Sequence, residues 1–321
     1  MKKQLVNAIF VSLMVFAGVM TLLYPSIASW RMQLAQNQVI AQSYSKIPEA
    51  NPKKEEQLKA ARRYNQALAA GALVKAHERK ALGTGYMRAA GEEIWDYQDI
   101  LRMTPDGMMG RIKVKSADID LPIYHTSSDE VLLKGAGHLQ GTSLPVGGKG
   151  TRAVITAHRG LASAKMFTDL DQVKKGDDVV LEIFGDVYAY RVFETRVIDP
   201  EDTQAIKADP NRDLLTLITC TPLGINTQRI IVTGERIYPT PKNYADQAGG
   251  PSDLPRFPWW SLVIAGTLLL IAIWMWWNVR VYKRNKAVIA QNPDPEEKKA
   301  PVKPRRKGRG RHKGKGRHKK P

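Results

Sequence analysis

Two apolar runs, one near each end of the chain, decide which residues are left to build a water-soluble domain. Residues 5–24 are interrupted only by Asn7, Ser12 and Thr21, and residues 259–279 are rich in Leu, Ile and Trp. Each run is near the roughly 20 residues that an α-helix needs to cross the hydrocarbon layer. Lys2 and Lys3 precede the first; Arg280, Lys283, Arg284 and Lys286 follow the second. Positive flanks stay on the cytoplasmic side, so both ends are expected inside and residues 30–258 outside. Trp259, Trp260, Trp274, Trp276 and Trp277 stand near the ends of the second run, where interfacial aromatics collect. The first run has a rival reading: Ser26-Ile27-Ala28 has the small-x-small spacing of a signal-peptidase site. The run exceeds the usual 7–15-residue core of such a signal, which favours a retained anchor. The second run tethers the chain either way.

The formal net charge of +18 belongs mostly to the last segment. Residues 280–321 hold 17 Lys and Arg against Asp294, Glu296 and Glu297, which leaves about +4 for everything else. No apolar residue follows Val302, so this tail has nothing to bury and is expected to be disordered. A basic strip next to a membrane helix is expected to lie on anionic lipid and fix topology. Nucleic-acid binding, the other use of such runs, is not expected here.

Between the two runs the pattern changes twice. Residues 31–45 could continue the first helix, with Pro48 and Pro52 as breakers. From Glu55 to Ala70, Leu58, Ala61, Tyr64 and Leu68 recur at helical spacing, and Gly71 ends the segment. Residues 72–100 are poorly patterned and read as a long loop. From Gly110 to Ile237 short strands dominate: Arg111–Val114, Leu121–Tyr124, Arg152–Thr156, Val179–Phe184, Val187–Val197, Leu214–Thr219 and Ile230–Thr233. Turn signals such as Gly147-Gly148, Gly176-Asp177 and Gly185-Asp186 separate them. This spacing fits a β-barrel or sandwich and not alternating β/α units. Short helices are expected at Asp129–Lys134 and Ser163–Leu170. The expected organisation is an anchor (1–29), a helical extension with a long loop (30–96), a β domain (97–239), a linker (240–258), a second anchor (259–279) and the basic tail (280–321).

Cys220 is the one cysteine of the chain. A lone thiol outside the cell has no disulfide partner within its chain, so it is an accident, an intermolecular link or a reactive group. It ends the strand-like run Thr216-Leu217-Ile218-Thr219-Cys220, and polar neighbours weaken the reading of a buried small hydrophobe. A cysteine nucleophile acts as thiolate and needs a proton-handling base and a donor-rich setting. Of six histidines, His312 and His318 lie in the tail and His77 in the unpatterned loop. His125 and His138 carry no signal beyond that of surface or capping residues. His158 ends the strand Val154-Ile155-Thr156-Ala157, a rigid-to-loop boundary of the kind where active residues sit. If 214–220 and 229–236 pair as a hairpin, the intervening loop returns Arg229 beside Cys220. A guanidinium is always charged and offers a rigid fork of donors, suited to a carbonyl oxygen that gains charge.

At these residues the chain resembles the sortases, membrane-bound cysteine transpeptidases of Gram-positive bacteria, and within them the class C, pilin-polymerising branch. The likeness lies in Thr-Leu-Ile-Thr-Cys at 216–220 followed by Thr-Pro-Leu-Gly-Ile-Asn-Thr-Gln-Arg to 229. It extends to Thr156-Ala157-His158-Arg159-Gly160, Met166-Phe167-Thr168-Asp169-Leu170-Asp171 and Gly141-Thr142-Ser143-Leu144-Pro145-Val146-Gly147-Gly148, from about Tyr97 to Ile237. The resemblance implies a mainly β fold: a sortase-type closed β-barrel with short helices, preceded by a helical extension and flanked by transmembrane helices. It implies Cys220 as nucleophile, His158 as proton carrier and Arg229 as oxyanion or substrate stabiliser, with no cofactor and no metal. The substrate would be a Leu-Pro-x-Thr-Gly-type sorting signal cut after threonine, and the acceptor a lysine of the next pilin subunit. The catalytic domain would face outward from the cell membrane, with both termini cytoplasmic. A wall-anchoring sortase using a peptidoglycan-precursor amine, or an inactive surface scaffold on the same barrel, are the other readings. One departure stands out. Class C members commonly carry a lid with an Asp-Pro-aromatic motif, but no Asp-Pro occurs between Gly71 and Leu101. A lid of other chemistry is expected over 72–96, with Tyr86 or Trp95-Asp96-Tyr97 as its plug, although Trp95-Asp96-Tyr97 could equally open the first barrel strand.

Overall fold

The structure, a computed structural model, describes residues 2–45, 47–69 and 96–291. Packing divides the chain into two units, residues 19–264 and residues 1–18 with 265–321. In the first unit, eight strands close into a barrel: β1 (Met108–Val114), β2 (Ile119–His125), β3 (Ala136–His138), β4 (Thr151–Thr156), β5 (Asp178–Ile183), β6 (Asp186–Ile198), β7 (Asp213–Thr221) and β8 (Gln228–Arg236). Their order around the barrel is β1-β2-β3-β4-β7-β8-β6-β5, with β5 returning to β1. The pairs β2–β3 and β4–β7 are parallel and the remaining ones antiparallel. Closure leaves no open edge for another chain to pair with.

Side-chain alternation sorts the strands into a core face and an outer face. Ala153 and Ile155 of β4, Leu215 and Leu217 of β7, and Ile230 and Val232 of β8 join one buried cluster inside the barrel. The outer face of β2 is buried as well, so that all seven of its residues are covered. The cover is α1 (Lys2–Ser45), which runs past Pro25 without breaking. Its Gln33 amide donates to Asp120 O at 2.7 Å and its Gln36 amide to Lys134 O at 3.0 Å. Ile40 packs with Met108 and Tyr124 in a second apolar cluster; burying such side chains contributes about 1.5–3 kcal/mol each.

The second helix, α2 (Ile47–Ala69), starts before the expected Glu55 and takes in both Pro48 and Pro52 within its first two turns. Pro48 falls in the opening turn, where a proline's missing N–H has no helical partner to lose; Pro52, the sixth residue, lies beyond that turn. Leu58, Ala61 and Tyr64 form the expected buried stripe, with Leu68 partly buried beside them. Asn65 gives and takes one hydrogen bond each with the Leu144 backbone, at 3.0 and 2.7 Å, so α2 is fastened to the segment 141–146. Most of the segment expected to form a lid, 72–95, lies outside the described residues. The chain returns at Asp96, and Asp96-Tyr97 leads into a turn and not into the first strand, which begins at Met108.

Two further expectations are corrected. α3 (Asp129–Leu132) forms, with Ser128 as its N-cap. Ser163–Leu170 does not become a helix: it is a series of turns ending in a 3₁₀ turn at Leu170–Gln172. Met166 sits at φ +44°, outside helical values, and Phe167 N is spent on His158 O at 3.0 Å. The stretch 240–258, expected as a plain linker, carries α4 (Lys242–Ala245) and then straps onto the barrel. Arg111 grips Asp120 with two bonds of 2.6 Å and donates its remaining nitrogen to Gly250 O at 2.8 Å. Glu182 accepts from Lys113 at 2.5 Å and from Gly249 N at 3.0 Å, and Asp120 also accepts from Ser252. Buried charges require all their lone pairs and protons satisfied, and the strap completes them.

The chain then enters α5 (Trp259–Gln291). α1 and α5 are both long and apolar enough to cross a membrane. In the unit formed by residues 1–18 and 265–321, Arg280 stacks over the Trp276 ring at 4.1 Å, a cation–π contact.

Candidate active site

Cys220 and Arg229 are direct partners across the β7–β8 ladder, as the hairpin expectation requires. β4 runs parallel to β7 on the other side, with Thr156 opposite Ile218. The same register carries on past the strand end, because Ala157 N donates to Ile218 O at 3.3 Å and Thr219 Oγ1 to Ala157 O at 2.8 Å. Two residues beyond Thr156 and Ile218 come His158 and Cys220, which therefore stand at one level on neighbouring strands. Alternation puts all three on the same face: Ala157, Leu217 and Ile230 point into the core, so His158, Cys220 and Arg229 point out of it. All three are half-buried. The structure thus brings together the three residues expected from the sequence.

Cys220 is a free thiol. The Arg229 guanidinium lies over the turn that follows, where Nη1 donates to Asn226 O and Gln228 O at 2.9 Å each. Its other donors make no hydrogen bond among the described residues. Leu223 and Ile225 of the same loop are exposed, at 51% and 68%, and Leu223 leans over Gly160. Gly160 has φ +76°, and a Cβ there would come within 2.6 Å of the Leu223 side chain. The face is therefore flanked by an apolar rim next to its polar groups.

One positioning residue escaped the sequence reading. Arg159 donates from Nε to Thr168 O at 2.9 Å, from Nη1 to Thr221 Oγ1 at 3.1 Å and from Nη2 to Asp171 at 2.6 Å. It thereby ties the turn after His158 to the strand residue after Cys220, and both to the 166–171 segment. Gly160 N, donating to Thr168 Oγ1 at 3.1 Å, reinforces that junction. The only sequence signal was the presence of both motifs, His158-Arg159-Gly160 and Thr168 to Asp171, without any hint that they touch.

The other histidines play different parts. His125 and His138 are not surface residues but buried ones. His138 Nδ1 accepts from Tyr97 OH at 2.8 Å, and its Nε2–H donates to Ser143 O at 2.8 Å, which fixes the neutral tautomer. Burial pushes its pKa down to about 4. His125 faces carbonyl oxygens of Gly107 and Ile100 at 2.8 and 2.7 Å; burial lowers its pKa, and those two bonds oppose the shift. Tyr97 links the pair, edge-on to His125 and hydrogen-bonded to His138. His77, His312 and His318 lie outside the described residues.

Comparison with known proteins meets this geometry. A family model described as the sortase domain matches residues 112–237. The solved structure of Streptococcus pneumoniae sortase C is 33% identical, covering 64% of this chain and 99% of that one, with a TM-score of 0.52. The chain belongs to the sortase family. Sortase C of Clostridium perfringens SM101 is 34% identical, covering 62% of this chain and 98% of its own, with a TM-score of 0.51. Among curated sortases, sortase A of Bacillus anthracis is 30% identical over 130 residues, 40% of this chain and 60% of that protein. The chain spans between 52% and 63% of the length of the curated sortases it matches. In this sortase the outer face of β4, β7 and β8 carries a thiol, an imidazole and a guanidinium at one level of the barrel.

Proposed function

We propose that the chain is a membrane-anchored transpeptidase in which Cys220 attacks the threonine carbonyl of a Leu-Pro-x-Thr-Gly-type sorting signal. The observation that carries this reading is the shared level and face of His158, Cys220 and Arg229. A thiolate forms the C–S bond to the threonine carbonyl carbon. The Arg229 guanidinium supports the oxygen as it gains charge. The Thr–Gly C–N bond then breaks, and the His158 imidazolium passes its proton to the leaving amine. The thioester stores the acyl group until an acceptor amine attacks, forming a new amide, releasing the Cys220 thiolate and giving the amine's one lost proton to His158.

For the acceptor, the reading is a lysine ε-amine of a pilin subunit, so that the product is an isopeptide-linked fibre. The likeness to sortase C structures supports it, one of which was described for its pilin substrate specificity. The curated relatives carry the names sortase A and sortase D, which favours as second reading a peptidoglycan-precursor amine. The two separate when full-length protein in detergent is given the sorting peptide and two competing acceptors, a lysine-containing pilin peptide and a glycine amine. An isopeptide-linked product supports pilus polymerisation, whereas transfer to glycine alone contradicts it.

The placement that suits this reading has α1 and α5 in the cell membrane, the barrel domain (97–239) outside and the basic tail on the cytoplasmic leaflet, against anionic lipid. Trypsin added to intact protoplasts should destroy the barrel domain and spare a tail epitope; loss of the tail under those conditions would reverse the orientation. A lid over 72–96 belongs to the same proposal. Its deletion should speed labelling of Cys220 by a thiol reagent, and an unchanged rate would remove it.

A further inference from the structure

Where α1 leaves its apolar run and α5 begins its own, the unit of residues 19–264 holds a cavity of about 300 Å³. Ser26, Ser29 and Trp30 of α1 line one side, and Arg256, Trp259 and Trp260 the other. The indoles of Trp30 and Trp260 meet edge to face, with ring centres 5.8 Å apart, and Trp30 Nε1 donates to Arg256 O at 3.1 Å. The rings therefore form a fixed wall. Several donors on the residues around the cavity are short of acceptors. Trp260 Nε1 is buried with no hydrogen-bond partner. The Ser26 and Ser29 hydroxyls have none either among the described residues. Arg256 uses one nitrogen, on Asp118 at 2.7 Å, although a guanidinium offers five N–H donors. Lys165 reaches the same carboxylate at 3.3 Å, so two cations share Asp118 on the cavity wall; Asp169, behind Lys165, takes its other contact at 2.8 Å.

A donor-rich cavity walled by indoles, with unpartnered N–H and O–H groups and a mostly free guanidinium, calls for a ligand with several acceptor oxygens on a compact centre. Phosphate oxygens have that form. Its level in the chain names the source. Residues 25–30 follow directly on the first apolar run and 259–260 open the second, where tryptophans mark the headgroup layer. We infer that this cavity holds the phosphodiester of a glycerophospholipid headgroup from the outer leaflet, gripped by Trp260 Nε1, the Ser26 and Ser29 hydroxyls and Arg256. The inference rests on the proposed membrane placement of α1 and α5. A lipid so held would fix the height and tilt of the barrel above the membrane, because Arg256 and Lys165 also reach Asp118, at the start of β2.

The test uses the full chain released from membranes in mild detergent and native mass spectrometry. Phosphatidylglycerol and a phosphate-free diacylglycerol glycolipid with the same tails are the probes. The wild type should retain phosphatidylglycerol over the glycolipid. Trp260→Phe, which keeps the ring and loses the N–H, and Arg256→Gln should each cut that retention by about tenfold, the worth of one charge-assisted hydrogen bond. Equal retention of the two lipids, or unchanged retention in both variants, overturns the site. Displacement of the lipid by millimolar inorganic phosphate would make it a plain anion site and overturn the lipid assignment. Carbonate extraction separates this from the wider reading: if both variants stay in the membrane pellet, the spanning helices stand whatever the lipid result. Wild-type protein released by carbonate would remove the placement, and the lipid site with it.

Discussion

Thr219 and Cys220 are neighbours on β7 with opposite tasks. Thr219 points inward and fixes Ala157 O at 2.8 Å; Cys220 points outward to the face it shares with His158 and Arg229. The common placement of Cys220, His158 and Arg229 was legible because each stands at a strand end, where a rigid element gives way to a loop. Arg159 was not, since an arginine in a loop reads as solvated and its partners Thr168, Asp171 and Thr221 are reached only through the fold. Its fork spans three acceptors that an ammonium cannot reach together. Arg159→Lys is expected to lower the rate of acyl-enzyme formation by about ten- to a hundredfold, since small misplacements of reacting groups cost that much. Substrate KM and melting temperature should change little; a loss seen in KM or melting temperature alone would make Arg159 structural.

At the scale of elements, long alternating strands were readable and short or compromised ones were not. β3 is three residues with Gly137 at its centre, paired parallel to β2, so neither a hairpin turn nor a run of β-branched residues announces it. The helix expected over Ser163–Leu170 yields to tertiary demands, because Phe167 N answers His158 O. α2 was readable from its stripe, whereas its start was obscured by two prolines. β3 ends at His138, whose burial has a consequence for stability. With its pKa pushed down to about 4 in the folded state and near 6.5 when unfolded, the unfolded chain binds the extra proton between those values. Stability therefore rises with pH through this window and is lost as pH falls from about 6.5 towards 4, by about 3 kcal/mol at most. Urea unfolding at pH 7 and pH 4.5 should show the loss, and His138→Gln should flatten it. A His138→Gln protein with the full pH dependence would place the effect elsewhere.

For the whole molecule, the sequence made clear that a β domain lies between two apolar helices, but not how that domain is fastened to the segments beside it. The strap of residues 249–256 has the composition of a linker, and only the fold reveals that Arg111, Asp120 and Glu182 need its backbone. Removing one partner of a buried charge pair strands the other. Asp120→Ala is therefore expected to destabilise the protein by about 3–5 kcal/mol, visible as a lower urea midpoint, while the geometry at Cys220 is untouched. A variant within 1 kcal/mol of wild type, on the order of a surface substitution, would show that the strap is not held by these charges. On the proposed reading the activity depends on the one thiol of the barrel, Cys220. Intact-mass spectrometry of the full chain in detergent, incubated with a Leu-Pro-x-Thr-Gly peptide, tests this directly. The expected result is a mass gain equal to the peptide cut after threonine, located at Cys220 and absent from Cys220→Ala. A protein that turns the peptide over with no adduct at Cys220, or a Cys220→Ala variant that still forms one, would contradict it.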